Sequence, residues 1–199
     1  MKHLPIKHQS MKYAVMTLVL TSLALVGCTT TTKPAAPLNF SYGVAKTGDF
    51  GFLPQSGAVT YSWRTNLPVA RVSEDFDAEH YLSVIKAQID EVLTSKGYIA
   101  VQDGQAATMH LDFGIATETA MDDEQIFAST QIKTGVQFDL TGQKSEKGSL
   151  YIAVFDSVGA FPRWRALAQG PTENRIDNPE EREELKNLIG AMLDDLPSR

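Results

Sequence analysis

Apolar and polar residues alternate along several stretches of this chain and recur at helical spacing along two others. Val59, Tyr61 and Trp63 alternate with Thr60, Ser62 and Arg64, and Met109, Leu111, Phe113 and Ile115 alternate with Thr108, His110, Asp112 and Gly114. A period of two sends alternate side chains to opposite faces, so both stretches predict half-buried strands. Shorter runs of the same kind predict strands at Phe40 to Val44, Tyr98 to Gln102, Val136 to Leu140, Leu150 to Val154 and Arg163 to Gln169. The polar stretch Thr141 to Gly148 predicts a hairpin turn between the third and fourth of these. Leu82, Ile85, Ile89, Val92 and Leu93 lie on one helical stripe, with Asp77 placed to cap the start and Gly97 to end it. Leu185, Leu188, Ile189, Met192 and Leu193 form a second stripe behind Asn178-Pro179-Glu180-Glu181. There the asparagine caps, the proline suits the first helical position and the acids meet the positive end of the helix dipole. Gly48 to Gly57, Asp103-Gly104 and the acidic run Glu118 to Glu124 read as loops and turns. The order predicts an α+β fold: a largely antiparallel sheet with two helices packed on one face, after a signal peptide and flexible tether.

The leader follows from a different pattern. Lys12 precedes a run from Ala14 to Val26 that is apolar except at Thr17, Thr21 and Ser22. That run is shorter than the ~20 residues of a membrane-crossing helix and has the length of a signal-peptide core. Leu25-Val26-Gly27-Cys28 then resembles the lipobox of bacterial lipoproteins. The resemblance implies cleavage between Gly27 and Cys28, a diacylglycerol on the Cys28 sulfur, and a further fatty acyl chain, such as palmitate, on the new amino group. In lipoproteins an Asp after the cysteine favours retention in the inner membrane. Thr29 therefore implies the outer membrane, with the domain on its periplasmic side and the inner membrane as the alternative. The small, polar, proline-bearing stretch from Thr29 to Pro37 reads as a tether. The expected layout is a cleaved signal over 1–27, a lipidated Cys28 and tether over 28–44, and one globular domain over 45–199. Met1 and Met11 are both candidate initiators.

Composition narrows the function. The chain has 199 residues, 43% hydrophobic and 21% charged, with a net charge of −6. Taking Lys2, Lys7 and Lys12 from the 18 basic residues leaves 15 against 24 acids beyond residue 27. An acidic body without a basic stripe excludes nucleic acid as the expected partner and disfavours charge-driven binding to anionic lipid. One cysteine excludes an internal disulfide.

The landmarks that follow are shared with a known group. Asp49-Phe50, Tyr61-Ser62-Trp63, a helix running into Lys96-Gly97-Tyr98, and Gly148-Ser149-Leu150-Tyr151-Ile152 come in order. Trp164-Arg165-Ala166-Leu167-Ala168-Gln169-Gly170 and Asn178-Pro179-Glu180, before a helix ending at Leu196-Pro197, complete the series. Together, over roughly residues 45 to 197, they resemble the bacterial lipoproteins of the DUF4136 family. The resemblance implies an envelope lipoprotein with a small α+β domain, and carries over no catalytic residue.

No motif nominates a reaction. Asp112-Phe113-Gly114 matches the metal-binding tripeptide of protein kinases, but it sits in a strand pattern without a phosphate loop and reads as chance. His80 and His110 are far apart in sequence, and Glu118, Asp122, Asp123 and Glu124 lack the alternation of a calcium loop. No metal and no cofactor are expected. Trp63 and Trp164 read as core. Strand parity leaves Ser62, Arg64, His110, Asp112, Tyr151, Phe155, Arg163 and Arg165 on the sheet face away from the helices. Arg64, His110, Asp112, Tyr151, Phe155, Arg163 and Arg165 are the candidate partner surface, because aromatics beside arginines give area with directed hydrogen bonds. An ordinary wet sheet face, with Asp112 paired to an arginine, is the competing reading. The expected function is a non-enzymatic binding or scaffolding module, tied to the membrane through lipid on Cys28 and engaging an envelope protein. The alternatives are an envelope hydrolase with an unrecognised site and a carrier of a small apolar ligand.

Overall fold

Asp77 accepts a hydrogen bond from His80 N at 3.1 Å and opens helix α1, Ala78–Ser95, whose inward stripe is Ile85, Ile89, Val92 and Leu93. Gly97, at φ +90°, turns the chain out of it, and a Cβ there would meet Arg199 O at 2.7 Å. The computed structural model describes residues 42–64, 69–74, 76–102, 105–133, 146–172, 176 and 178–199. The signal peptide, Cys28 and nearly all of the tether lie outside these residues. So do the Asp103-Gly104 turn, the Val136 to Leu140 strand and most of the hairpin turn expected after it.

The strands are β1 Gly43–Gly48, β2 Thr60–Trp63, β3 Val69–Arg71, β4 Ile99–Ala100, β5 Met109–Thr117, β6 Lys147–Asp156 and β7 Trp164–Pro171. Helix α2 spans Asp123–Thr130 and α3 spans Pro179–Met192. β1 takes in Gly43 and Val44, the last two residues of the stretch read as tether. The sheet runs β1-β7-β6-β5-β2-β4, with β3 beside β5 as well. β2 lies along the start of β5, Tyr61 to Trp63 opposite Met109 to Leu111, and β3 along its end, Val69 to Arg71 opposite Gly114 to Ala116.

The fold is α+β, but the sheet is mixed rather than largely antiparallel. β1–β7, β7–β6 and β6–β5 are antiparallel, whereas β2–β5, β3–β5 and β2–β4 are parallel. The reason is the connection. β2 and β3 reach β4 and β5 through α1, and a strand that returns after a helix comes back in the same direction. The helix count also needs correction. The described residues hold three helices, of which α1 and α3 share one face and α2 lies on the other.

The main core fills the space between α1, α3 and the inner sheet face. Tyr61, Met109, Leu111, Ile152 and Trp164 meet Ile89, Leu93, Ile189, Met192 and Leu196 there, all fully buried. Trp63 packs edge-on to Phe113, centroids 5.4 Å apart, and Trp164 lies 5.1 Å from the Phe50 ring. Asp90 of α1 is the polar tie between layers. It accepts from Tyr61 OH at 2.9 Å, Trp63 Nε1 at 3.1 Å and Lys86 Nζ at 3.0 Å, so both aromatic donors are satisfied as they enter the core. Edge strand β1 is held by Lys46, which bonds Asp194, Asp195 and Ala191 O just beyond and within the end of α3.

Candidate functional site

Of the candidate surface, His110, Asp112, Tyr151, Phe155 and Arg165 share the outer face of the sheet, which α2 divides into two regions, while Arg64 and Arg163 flank strand ends and the Arg163 guanidinium stands 5.8 Å from the Phe52 ring. α2 forms because Asp122 and Gln125 close a capping box, each donating its backbone N–H to the other's side chain at 2.9 Å. Its Ile126, with Ile132 beyond it, packs on Leu167 of β7, and Met121, Ala45 and Tyr151 border that small second core. The run Glu118 to Glu124, expected as a solvated acidic loop, therefore leads into the first turn of a helix, and Glu118, Asp122 and Asp123 have structural partners. Lys147, buried at the start of β6, donates from Nζ to both Asp123 carboxylate oxygens at 2.8 Å and lies 3.3 Å from Glu118 Oε1. Burial works to lower the Lys147 pKa, but Asp123 and Glu118 outweigh it and hold it above its usual value. Gln169 Nε2 donates to Asp123 Oδ1 at 3.3 Å and to Ser149 Oγ at 3.1 Å. Arg165 Nη1 donates to Thr130 O, the last residue of α2, at 3.1 Å.

The first region lies toward the β6–β7 turn. Ser62 Oγ and His110 Nδ1 are 2.8 Å apart on adjacent strands. His110 faces Phe155 across the β5–β6 ladder. Phe155 is only 8% exposed, because the Arg64 guanidinium lies over its ring, 3.9 Å from the centroid. Arg163, exposed, is 3.6 Å from Asp156. The turn itself presents Val158 and Phe161, 92% and 82% exposed. Sequence parity placed the arginines on this face but not these two apolar side chains, which belong to no strand.

The second region gathers Asp112, Tyr151 and Arg165. Here β3, α2 and the outer face enclose a cavity of about 310 Å³. Its floor is small, at Gly114 and Ala116, and its walls include Val69, Met121, Ile126 and Leu167. A Cβ on Gly114 would lie 3.0 Å from Val69 O, so the absence of a side chain lets β3 approach β5. Asp112 and Tyr151 line the cavity and Arg165 stands beside it.

Burial is the main cause that pushes the Tyr151 phenol up to about 12, with Arg165 opposing and Asp112 assisting. Burial raises Tyr61 and Tyr98 as well. An unfolded phenol ionises near pH ~10, so above that the unfolded chain binds fewer protons than the native one. Stability should thus fall as the pH rises from ~10 through the native value. The Tyr151→Phe variant should lose less stability over that interval, measured as thermal midpoint against pH. An unchanged slope would show that Tyr151 does not contribute.

His80 belongs to α1 and stands on the far side of the sheet from His110, its ring 6.1 Å from Tyr81. Among the described residues no group of three His, Cys, Asp or Glu side chains is placed to hold a metal ion. Among them, too, no helix is long and apolar enough to cross a membrane. A smaller cavity of about 120 Å³ lies between α1, α3 and the sheet, bordered by Phe76, Tyr81, Leu150 and Leu185.

No family model matches this chain, and no curated protein matches it. Among solved structures it is similar to a dodecamer of a PelC point variant from Paraburkholderia phytofirmans, at 17% identity over 80% of this chain and 99% of that one, TM-score 0.47. It is similar to a PDZ domain protein from Parabacteroides distasonis, at 15% identity over 81% of this chain and 37% of that one, TM-score 0.42. It is also similar to a DUF4136 family protein from Bacteroides thetaiotaomicron, at 13% identity over 79% of this chain and 98% of that one, TM-score 0.44. The family whose landmarks the sequence resembles is thus represented among its structural neighbours.

Proposed function

We propose that this chain is a bacterial envelope lipoprotein of the DUF4136 kind, anchored to the outer membrane through Cys28 and facing the periplasm. Its domain is a non-enzymatic binding or scaffolding module. The ordered sequence landmarks and the lipobox support the family and the anchor. One observation supports the binding role above the others: Val158 and Phe161 are almost fully exposed on a turn next to Arg163. Large apolar side chains held in water beside an arginine are what a partner's pocket buries most profitably. The partner is expected to be another envelope protein, since the body is acidic and nothing basic is arrayed for nucleic acid.

Photo-crosslinking from position 160 in living cells tests this. Crosslinked partners should appear with the native surface and fall at least ~10-fold in a Phe161→Ser, Arg163→Ala double variant at equal protein level, the loss expected for contacts of hot-spot strength. Crosslinks that persist unchanged in the variant would overturn the assignment of this surface.

A further inference from the structure

The second region of the outer face carries a different kind of site. We propose that the cavity between α2, β3 and the sheet binds a small, mostly apolar molecule that carries one hydroxyl or amide group. This deepens the binding role assigned to the outer face, but it concerns a small ligand rather than a protein partner.

Size comes first. A volume of about 310 Å³ stands at the lower end of the ~300–1,000 Å³ range of small-molecule sites. It is about twice the ~150 Å³ cavity that holds the six carbons of benzene, which sets the ligand at about twelve heavy atoms. The cavity is not an accident of one missing side chain. It is built by Gly114 and Ala116 on β5, by the three-residue strand β3 and by a helix clamped down at both ends through Asp123 and Arg165.

The lining decides the chemistry. Val69, Met121, Ile126 and Leu167 offer apolar contact, so most of the ligand is apolar. The Tyr151 hydroxyl has no hydrogen-bond partner among the described residues, although its ring is packed against the second core. A phenol held in place with its donor unspent is a positioned recognition group. Arg71 and Asp112 line the cavity as well, and Arg165 stands near Tyr151, so charge of both signs surrounds the phenol and the site selects a hydrogen-bonding group rather than a net charge.

The test uses the full chain in its own membranes and a diazirine derivative of 4-propylphenol as the probe. After illumination, label should map to Met121, Ile126 and the segment around Tyr151. Unlabelled 4-propylphenol should compete it away, whereas propylbenzene, which lacks the hydroxyl, should compete at least ~10-fold less well. Tyr151→Phe should weaken competition by 4-propylphenol about 5-fold, the loss of one neutral hydrogen bond. Ser129→Phe, at an exposed helix position on the cavity wall, should fill the space and abolish saturable labelling. Labelling that is unsaturable, that survives Ser129→Phe, or that propylbenzene blocks as well as the phenol would overturn the proposal. Partner crosslinking from position 160 serves as the second readout. If Ser129→Phe loses the label and keeps the crosslinks, the ligand site and the protein surface stand separately. If labelling fails while crosslinks persist, the ligand site alone falls.

Discussion

Replacing Cys28 with serine is expected to remove the protein from the outer-membrane fraction, which is the largest effect foreseen for any single residue. Serine offers no thiolate to take the diacylglycerol, so neither lipid attachment nor cleavage after Gly27 should follow. The energetics make the result steep. One acyl chain binds a bilayer with a constant of only about 10⁴ M⁻¹, and each buried methylene adds about 0.8 kcal/mol, so two or more chains turn transient contact into lasting attachment. Metabolic labelling with an alkyne analogue of palmitate should drop to background in the variant. Its mass should retain residues 1–27, and density-gradient fractionation should find none of it in the outer membrane. A variant that matures normally and stays bound after an alkaline carbonate wash would refute the anchor.

Trp164→Ala should be the most destabilising of the simple core truncations, at about 3–5 kcal/mol. Trp164 is 1% exposed, begins β7, and stacks on Phe50, while its strand neighbours on both sides, β1 and β6, depend on its position. Domains of this size are stable by about 5–15 kcal/mol, so the loss is a large share of the total. With a urea slope of about 1–3 kcal/mol per molar, the midpoint followed by circular dichroism should fall by roughly 2 M. The control is Phe161→Ser, which removes an aromatic ring of comparable bulk from a position that is 82% exposed. Its midpoint should shift by the equivalent of no more than about 0.5 kcal/mol, as for surface changes generally. Equal losses for the two variants would mean that the packing of the inner face has been misassigned.

The elements that the sequence made legible are those with both a period and a cap. Asp77 with the Ile85–Ile89–Val92 stripe, and Asn178-Pro179 with Ile189–Met192, define helices whose observed starts agree with their caps; α1 also stops where Gly97 signals, whereas α3 stops at Met192, short of the Leu196-Pro197 end expected for it. The alternation along β2, β5, β6 and β7 assigned each side chain to a face, because parity survives whatever the neighbours are. Strand direction did not survive in the same way. It depends on which strands become neighbours, and β2 and β3 both lying along β5 is a long-range fact. α2 escaped because eight residues with buried Ile126 and Thr130 are too few to display a stripe. Its acidic first turn hid the Asp122–Gln125 capping box that does announce it. β3 is three residues long and has no period at all. The candidate surface was consequently legible as a set of residues and illegible as a shape. Parity collected Arg64, His110, Asp112, Tyr151, Phe155, Arg163 and Arg165, and only the position of α2 shows that they form two regions.

The direction of β1 has a mechanical consequence. The chain joins the sheet at Gly43, opposite Gln169, and β1 runs to Gly48, opposite Trp164, at the end where the β6–β7 turn projects. At about 3.4 Å per residue, the six residues of β1 separate these two ends by roughly 20 Å. Suppose a cargo grips the turn while residues before Tyr42 are pulled the other way. The tension then runs along the strands, and the β1–β7 ladder is sheared as a unit instead of peeling open one rung at a time. A body fastened at one end and loaded at the other is in this way arranged to bear force.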